Sequence, residues 1–261
     1  MPTLLLTPRY TTDSRLLRQA AHHAGWDTFR LQEWRVPVDL AERELVFYGE
    51  PLLVDVIAES LPYVLFEPPS TWLPSLPERY RRRDVRLTTV EEARKLAQPA
   101  FIKPPGDKSF AARVYGSGVE LPPEDALPDE TPALVAEPVT WDLEFRCFVL
   151  ERSVATHSIY LREGKLVEDE DGNWPASDAE LAAALTFAQE VLADPMVALP
   201  PAVVLDVGMI AGRGWAVIEA NAAWAAGVYG CDPDAILPVL QHALARRDAL
   251  TEAEQRWVRP G

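Results

Sequence analysis

The segment VVLDVGMIAGRGWAVIEANAAW, residues 203–224, restricts what this chain can fold into more than any other stretch. Two runs with the two-residue period of strands flank Ala211-Gly212-Arg213-Gly214, whose glycines suit a tight hairpin. Alternation puts Val204, Asp206 and Gly208 on one face of the first strand, with Val203, Leu205 and Val207 on the other. In the second strand Val217, Glu219 and Asn221 share a face, opposite Ala216, Ile218 and Ala220. A hairpin centred between Gly212 and Arg213 sets Asp206 across from Glu219, and Asn221 across from Val204. Three oxygen-bearing side chains then converge on an otherwise apolar ribbon. Adjacent carboxylates repel, and burying them unpaired is costly. A hard divalent cation such as Mg²⁺, which prefers such oxygen ligands, answers both problems. The same spacing also fits two acids on the solvated face of a half-buried sheet.

The rest of the chain tells which sheet this ribbon joins. Residues 1–66 alternate strand and helix signals: a strand at Thr3–Leu6, a helix capped by Asp13 and stopped by Gly25, and a strand at Glu44–Tyr48. A helix over Leu52–Ser60 and a strand at Tyr63–Phe66 complete a small α/β unit. Four prolines between Glu67 and Pro77 read as a linker. Beyond it, Thr88 and Thr89 with Glu91 and Glu92 cap a helix through Leu96. Strand runs then dominate, with helices expected over 177–192 and 234–245. The acidic stretches 121–132 and 163–173 read as solvated loops, the second also as a lid over a site. The expected fold class is therefore α+β.

Composition narrows the function. A formal charge of −15 repels a polyanion, so no nucleic-acid partner is expected. The apolar runs are too short and too interrupted for a membrane span, and the N-terminus has no basic region of a signal peptide. Cys147 and Cys231 lack metal-ligand spacing, and Cys147, mid-strand, reads as a buried free thiol, which points to a cytoplasmic protein. No Walker A or GxGxxG sequence occurs.

The Asp–strand–turn–strand–Glu-x-Asn pattern of residues 206–221, followed by small residues, resembles the metal-binding end of the ATP-grasp enzymes. Other family pieces follow in order between about Tyr80 and Ala243. Ala100-Phe101-Ile102-Lys103-Pro104 resembles the strand whose lysine reaches the α-phosphate, and Pro105-Gly106-Asp107-Lys108-Ser109 the loop that folds over the phosphates. Residues 133–139 resemble the hinge that reads the adenine edge, and 143–150 a strand typical of the ribosomal-protein glutamate-ligase branch. Family loops carry more glycine near Gly106, and the family places Ser or Thr and Pro where Ala222 and Ala223 stand.

The resemblance implies two α+β subdomains clamping ATP, about 78–137 and 138–250 within an ATP-grasp domain at 78–261, preceded by a small α/β domain at 1–77. It implies ATP with one or two Mg²⁺ ions, held by Asp206, Glu219 and Asn221. Lys103 and Lys108 would hold phosphates, Glu137 and Val139 the adenine edge, and Glu144 the ribose hydroxyls. Arg146 and Arg162 would offset charge on the transferring phosphoryl group. The implied activity joins a small-molecule or peptide carboxylate to an amine through an acyl phosphate, and the family leaves room for a homodimer. Phosphotransfer to another acceptor, or nucleotide binding without catalysis, fits the same fold. Arg146 and Arg162 also fit cross-strand salt bridges, and the run Arg79-Tyr80-Arg81-Arg82-Arg83 a solvated linker edge. Trp224, just beyond the metal strand, is a candidate pocket wall, while His157 reads as structural.

Overall fold

The computed structural model describes residues 1–33, 36–37, 40, 42–57, 61–106 and 108–259. Three leucines in a row after Thr3 make β1 (Thr3–Leu6) a strand buried on both faces, as a central parallel strand must be. After α1 (Thr12–His23), β2 (Asp27–Arg30) and β3 (Leu45–Tyr48) pair with it in parallel, in the order β2-β1-β3. The helix cap is Thr11, whose side chain accepts from the Ser14 amide, and not the expected Asp13. Asp13 sits in the first turn, where it accepts hydrogen bonds from the Tyr48 hydroxyl at 3.2 Å and the Val228 amide at 3.3 Å. Gly25, at φ +73°, ends the helix as expected.

Then come α2 (Pro51–Ile57) and β4 (Tyr63–Leu65); the expected end of that helix at 58–60 lies outside the described residues. The proline-rich stretch is no bare linker. It carries α3 (Trp72–Ser75), and the buried Trp72 donates through Nε1 to the Ala198 carbonyl at 2.6 Å. A short α4 (Glu78–Arg81) leads into the first antiparallel sheet.

That sheet comprises β5 (Val85–Thr89), β6 (Ala100–Lys103), β7 (Arg113–Tyr115) and β8 (Pro132–Ala136), in the order β5-β8-β6-β7. The helix α5 (Val90–Arg94), capped by Thr89, covers one face through Val90 and Ala93 against Ile102, Tyr115 and Val135.

The second antiparallel sheet holds the long strands β9 (Trp141–Leu150) and β10 (Ser153–Arg162), with β11 (Lys165–Leu166) beyond. After α6 (Asp178–Ala193) come β12 (Ala202–Ile210) and β13 (Gly214–Asn221), giving the order β11-β10-β9-β12-β13. Phe145, Cys147, Val203, Leu205 and Val207 turn one face of it into a core shared with α6. On the other face Phe148 and Val204 join the core of the N-terminal unit, while Glu144, Arg146 and Asp206 lie further along. One end of that face is thus sealed and the other is polar.

The helix expected over 234–245 stops early: α7 is Pro233–Gln241, and Leu244–Arg246 form β14, antiparallel to β4. A last turn, α8 (Glu252–Gln255), brings Val258 into a bridge with Phe66. Both cysteines are buried and unbridged, and among the described residues no helix is long and apolar enough to cross a membrane.

Candidate functional site

The β12–β13 ribbon places its acids in register. Asp206 pairs with Glu219 and Val204 with Asn221, as the spacing predicts. The route differs. The turn is centred on Gly212, at φ +71°, and a β-bulge at Ile218 shifts the ladder by one residue before Glu219. Val217, expected beside Glu219, therefore faces the α6 core opposite Val207. Gly208 is small for a reason: a Cβ there would lie 2.6 Å from the Leu143 carbonyl and 2.8 Å from the Trp141 ring.

Each acid meets a cation. Arg146 on β9 stands directly beside Asp206 and grips it bidentately, Nε to Oδ1 at 3.0 Å and Nη2 to Oδ2 at 2.7 Å. Its Nη1 donates to the Gly227 carbonyl at 3.0 Å, and its guanidinium lies 4.7 Å from the ring centroid of Tyr229, on which Tyr160 stacks. Asp206 is 0% exposed. Burial raises its carboxyl against the pull of Arg146 and holds back the Arg146 charge, which Asp206 restores and strengthens. Glu219 meets Lys103, reaching over from β6 in the other sheet. Asn221 ties the two acids together, donating through Nδ2 to Glu219 at 2.8 Å and to Asp206 at 3.3 Å. Burial alone would raise the Glu219 carboxyl, but Lys103 and Asn221 outweigh it and hold it below the usual range.

Lys103, Glu219 and Asn221 close one end of a cleft of about 1440 Å³ between the two antiparallel sheets, with Asp206 buried behind them and Arg146 lining a smaller cavity alongside. Lys103, Lys108, Glu137, Val139 and Glu144, expected at a nucleotide, line it together with Glu219 and Asn221, expected at its metal. Asp107, expected in the phosphate loop, lies outside the described residues. The Glu137 side chain is engaged by Arg213, which lowers its carboxyl, while its backbone amide donates to Asp84. Burial raises the Glu144 carboxyl, opposed by the Tyr160 hydroxyl that donates to it at 3.0 Å.

Arg83 is the wall residue that the sequence hides. Expected on a solvated edge, it is buried beneath the cleft with its guanidinium 4.9 Å from the Trp141 ring centroid. β13 is an edge strand, and Arg83 donates to two of its carbonyls, Val217 at 2.7 Å and Ile218 at 2.9 Å. Arg82 caps the Arg213 carbonyl on the same edge. Burial lowers the Arg83 pKa to about 10, which leaves it charged at neutral pH.

Arg162 is not brought to this site. A bulge between Ile159 and Leu161 shifts the β9–β10 ladder, so Arg162 faces Leu143 and not Asp142. That one-residue shift turns it to the α6 side, where it clasps Glu180 at 2.6 and 3.2 Å. His157 points the same way, 3.3 Å from the Leu181 carbonyl, as its structural reading implies. Trp224 is fully buried and lines a smaller cavity beside Asn221. The stretch 163–173 is mostly exposed and is tied to itself through Asp169, which accepts from the Asp171 and Asn173 amides.

Residues 80–239 match the model of an ATP-grasp domain family, the second family of its clade. No curated protein matches the chain. Among solved structures, the D-cycloserine synthetase DcsG is similar over 93% of this chain and 97% of its own, at 15% identity and a TM-score of 0.51. N5-carboxyaminoimidazole synthase from Aspergillus clavatus, solved with ADP, covers 98% of this chain and 79% of its own, at 12% identity and a TM-score of 0.50. Pyruvate carboxylase from Rhizobium etli covers 84% of this chain but 26% of its own, at 12% identity and a TM-score of 0.51. At such identities these likenesses speak for the fold.

Proposed function

This chain belongs to the ATP-grasp domain family, and from that premise we propose that it is an ATP- and Mg²⁺-dependent ligase joining a carboxylate to an amine. The observation that carries this reading is the convergence of Lys103, Glu219 and Asn221 at one end of a cleft wide enough for a nucleotide. The donors suit Mg²⁺: they are all oxygens, and Glu219 sits where a half-buried acid needs a cation beside it. Glu219 and Asn221 would hold the ion, with Asp206 behind them, kept in place by Arg146 and joined to Glu219 through Asn221. Bound Mg²⁺ would supply charge to offset the β- and γ-phosphates.

The chain's own groups do the rest. Lys103 and Lys108 hold phosphate oxygens, the backbone at Glu137 and Val139 meets the adenine edge, and Glu144 accepts from the ribose hydroxyls. Arg146 offsets charge on the transferring phosphoryl group. Arg162 has no part in this assignment. A carboxylate oxygen attacks the γ-phosphorus, the bond to the β-bridging oxygen breaks, and ADP leaves an acyl phosphate. The amine nitrogen then attacks the acyl carbon, phosphate departs, and the surplus proton passes to solvent. Positioning and charge do most of the work.

Hydroxylamine trapping tests this. Protein, ATP, Mg²⁺ and a panel of small acids should yield ADP and a hydroxamate without the natural amine. ADP with no hydroxamate across the panel would instead support a phosphotransferase on the same cleft, and no ADP at all a non-catalytic nucleotide binder. Saturating Mg²⁺–ATP, at roughly a hundred times its dissociation constant, should also stabilise the fold by about 2.7 kcal/mol.

A further inference from the structure

A second cavity of about 250 Å³ opens off the carboxylate end of the cleft. The two share Glu219, Asn221 and Arg259, so whatever fills the small one abuts the site of phosphoryl transfer. Arg259 arrives from the far end of the chain. Its backbone amide donates to the Leu65 carbonyl at 2.9 Å, next to the Phe66–Val258 bridge. Its guanidinium donates to Glu67 at 2.6 Å and lies 5.6 Å from the ring centroid of Trp224. Trp224 is itself immobilised, fully buried and donating to the Phe66 carbonyl at 2.9 Å. An arginine fork held in this way is pre-oriented for a carboxylate.

Among the described residues, the charged side chains lining this cavity are two acids, Glu67 and Glu219, and two arginines, Arg146 and Arg259. Arg259 is met by Glu67 and Arg146 by Asp206, and the lining is largely polar. A simple anion would upset that balance, whereas a zwitterion keeps it. Arg259 lies at the junction with the large cleft, while Glu67 and Ser70 line only the small cavity. The volume equals roughly eight waters at about 30 Å³ each, the scale of a free amino acid with a short side chain.

We infer that the small cavity binds a free amino acid, with Arg259 orienting its carboxylate at the phosphoryl end and Glu67 receiving its ammonium group. This rests on the ligase reading for its chemistry but not for its binding. Both residues determine specificity: Arg259 fixes where the carboxylate stands, and Glu67 rejects acids whose nitrogen is acylated.

Binding can be followed by calorimetry on the full chain saturated with Mg²⁺–ADP, titrated with the proteinogenic amino acids and their N-acetyl derivatives. At least one small amino acid should bind, and its acetylated form about ten-fold more weakly or worse, the weight of a hydrogen bond to a charged group. Arg259→Gln should lose about ten-fold or more in affinity for that amino acid, with Arg259→Lys in between and an unchanged urea unfolding midpoint reporting an intact fold. Glu67→Gln should erase the preference for the free over the acetylated form. The inference falls if no amino acid binds, if acetylated forms bind equally well, or if Arg259→Gln binds like the wild type. Binding that follows this pattern without any hydroxamate would uphold the cavity's assignment and overturn the ligase instead.

Discussion

Asp206 and Glu219 face one another across the β12–β13 ribbon, and each has a cation, but the two pairs are built differently. Arg146 comes from the adjacent strand of the same sheet, so strand register alone brings it to Asp206. The side chains are 8% and 0% exposed, and both carboxylate oxygens are taken. Lys103 comes from the opposite sheet, and its pair with Glu219 is 22% and 27% exposed at the cleft. The first pair is part of the sheet. The second spans two sheets and separates whenever they part. A buried fork belongs to the fold, whereas a point charge across a cleft can be exchanged for another cation or a phosphate.

The contrast is tested most severely by Arg146→Met, which leaves Asp206 buried with no counter-charge. Urea unfolding should show a loss of about 3–5 kcal/mol, most of it recovered when Asp206→Leu is added. A single-variant loss below about 1 kcal/mol would mean that Asp206 finds other relief. Glu219→Gln should do the reverse, leaving stability at pH 7 within about 1 kcal/mol while Mg²⁺-dependent ATP turnover drops about 10²–10³-fold. Its acid limb carries a sign. Because Lys103 and Asn221 hold Glu219 below the usual range, the native state favours the ionised form. That contribution is present above the unfolded-state pKa and vanishes as pH falls through the native one. Stability against pH should therefore be flatter on the acid side in Glu219→Gln than in the wild type, and identical acid limbs would refute the pairing. Arg162→Ala is expected to matter least. Arg162 is 41% exposed, so its pair with Glu180 should contribute no more than about 1 kcal/mol, and Mg²⁺–ATP stabilisation should be unchanged.

The same contrast shows what local sequence can and cannot reveal. The cross-strand position of Asp206, Glu219 and Asn221 is legible because glycine marks the turn and strand alternation marks the face. Counting from a turn centre half a residue off still reached the right register, because the Ile218 bulge supplies the missing half-step. The bulge itself leaves no signature, and it moved Val217 to the other face. A similar bulge before Leu161 sent Arg162 away from the cleft. Period-two reasoning holds only until the ladder slips. Arg83 was hidden for another cause. Four arginines within five residues read as solvated, and what buries Arg83 is a set of carbonyls on an edge strand more than a hundred residues later. β2 was missed because its DTFR sequence is half-exposed and lacks an apolar run, its pairing coming from β1. Likewise Leu244–Arg246 reads as the end of a helix until β4 offers it a ladder.

The ribbon of β4 and β14 also bears on the order in which the molecule assembles. Glu67 and Arg259, which meet just beyond that ribbon, are 192 residues apart along the chain. Closing so long a loop costs entropy before any contact is gained, and a two-stranded ribbon is too weak to hold alone. The hairpins β9–β10 and β12–β13 need only short loops and can form early. The cavity beside Arg259 thus depends on a closure between distant parts of the chain, as does the contact of Asp13 with Val228, 215 residues apart. A chain that has lost only this closure would keep the ribbon carrying Asp206 and Glu219, and with it much of the nucleotide cleft, while having nothing to hold an acceptor in place.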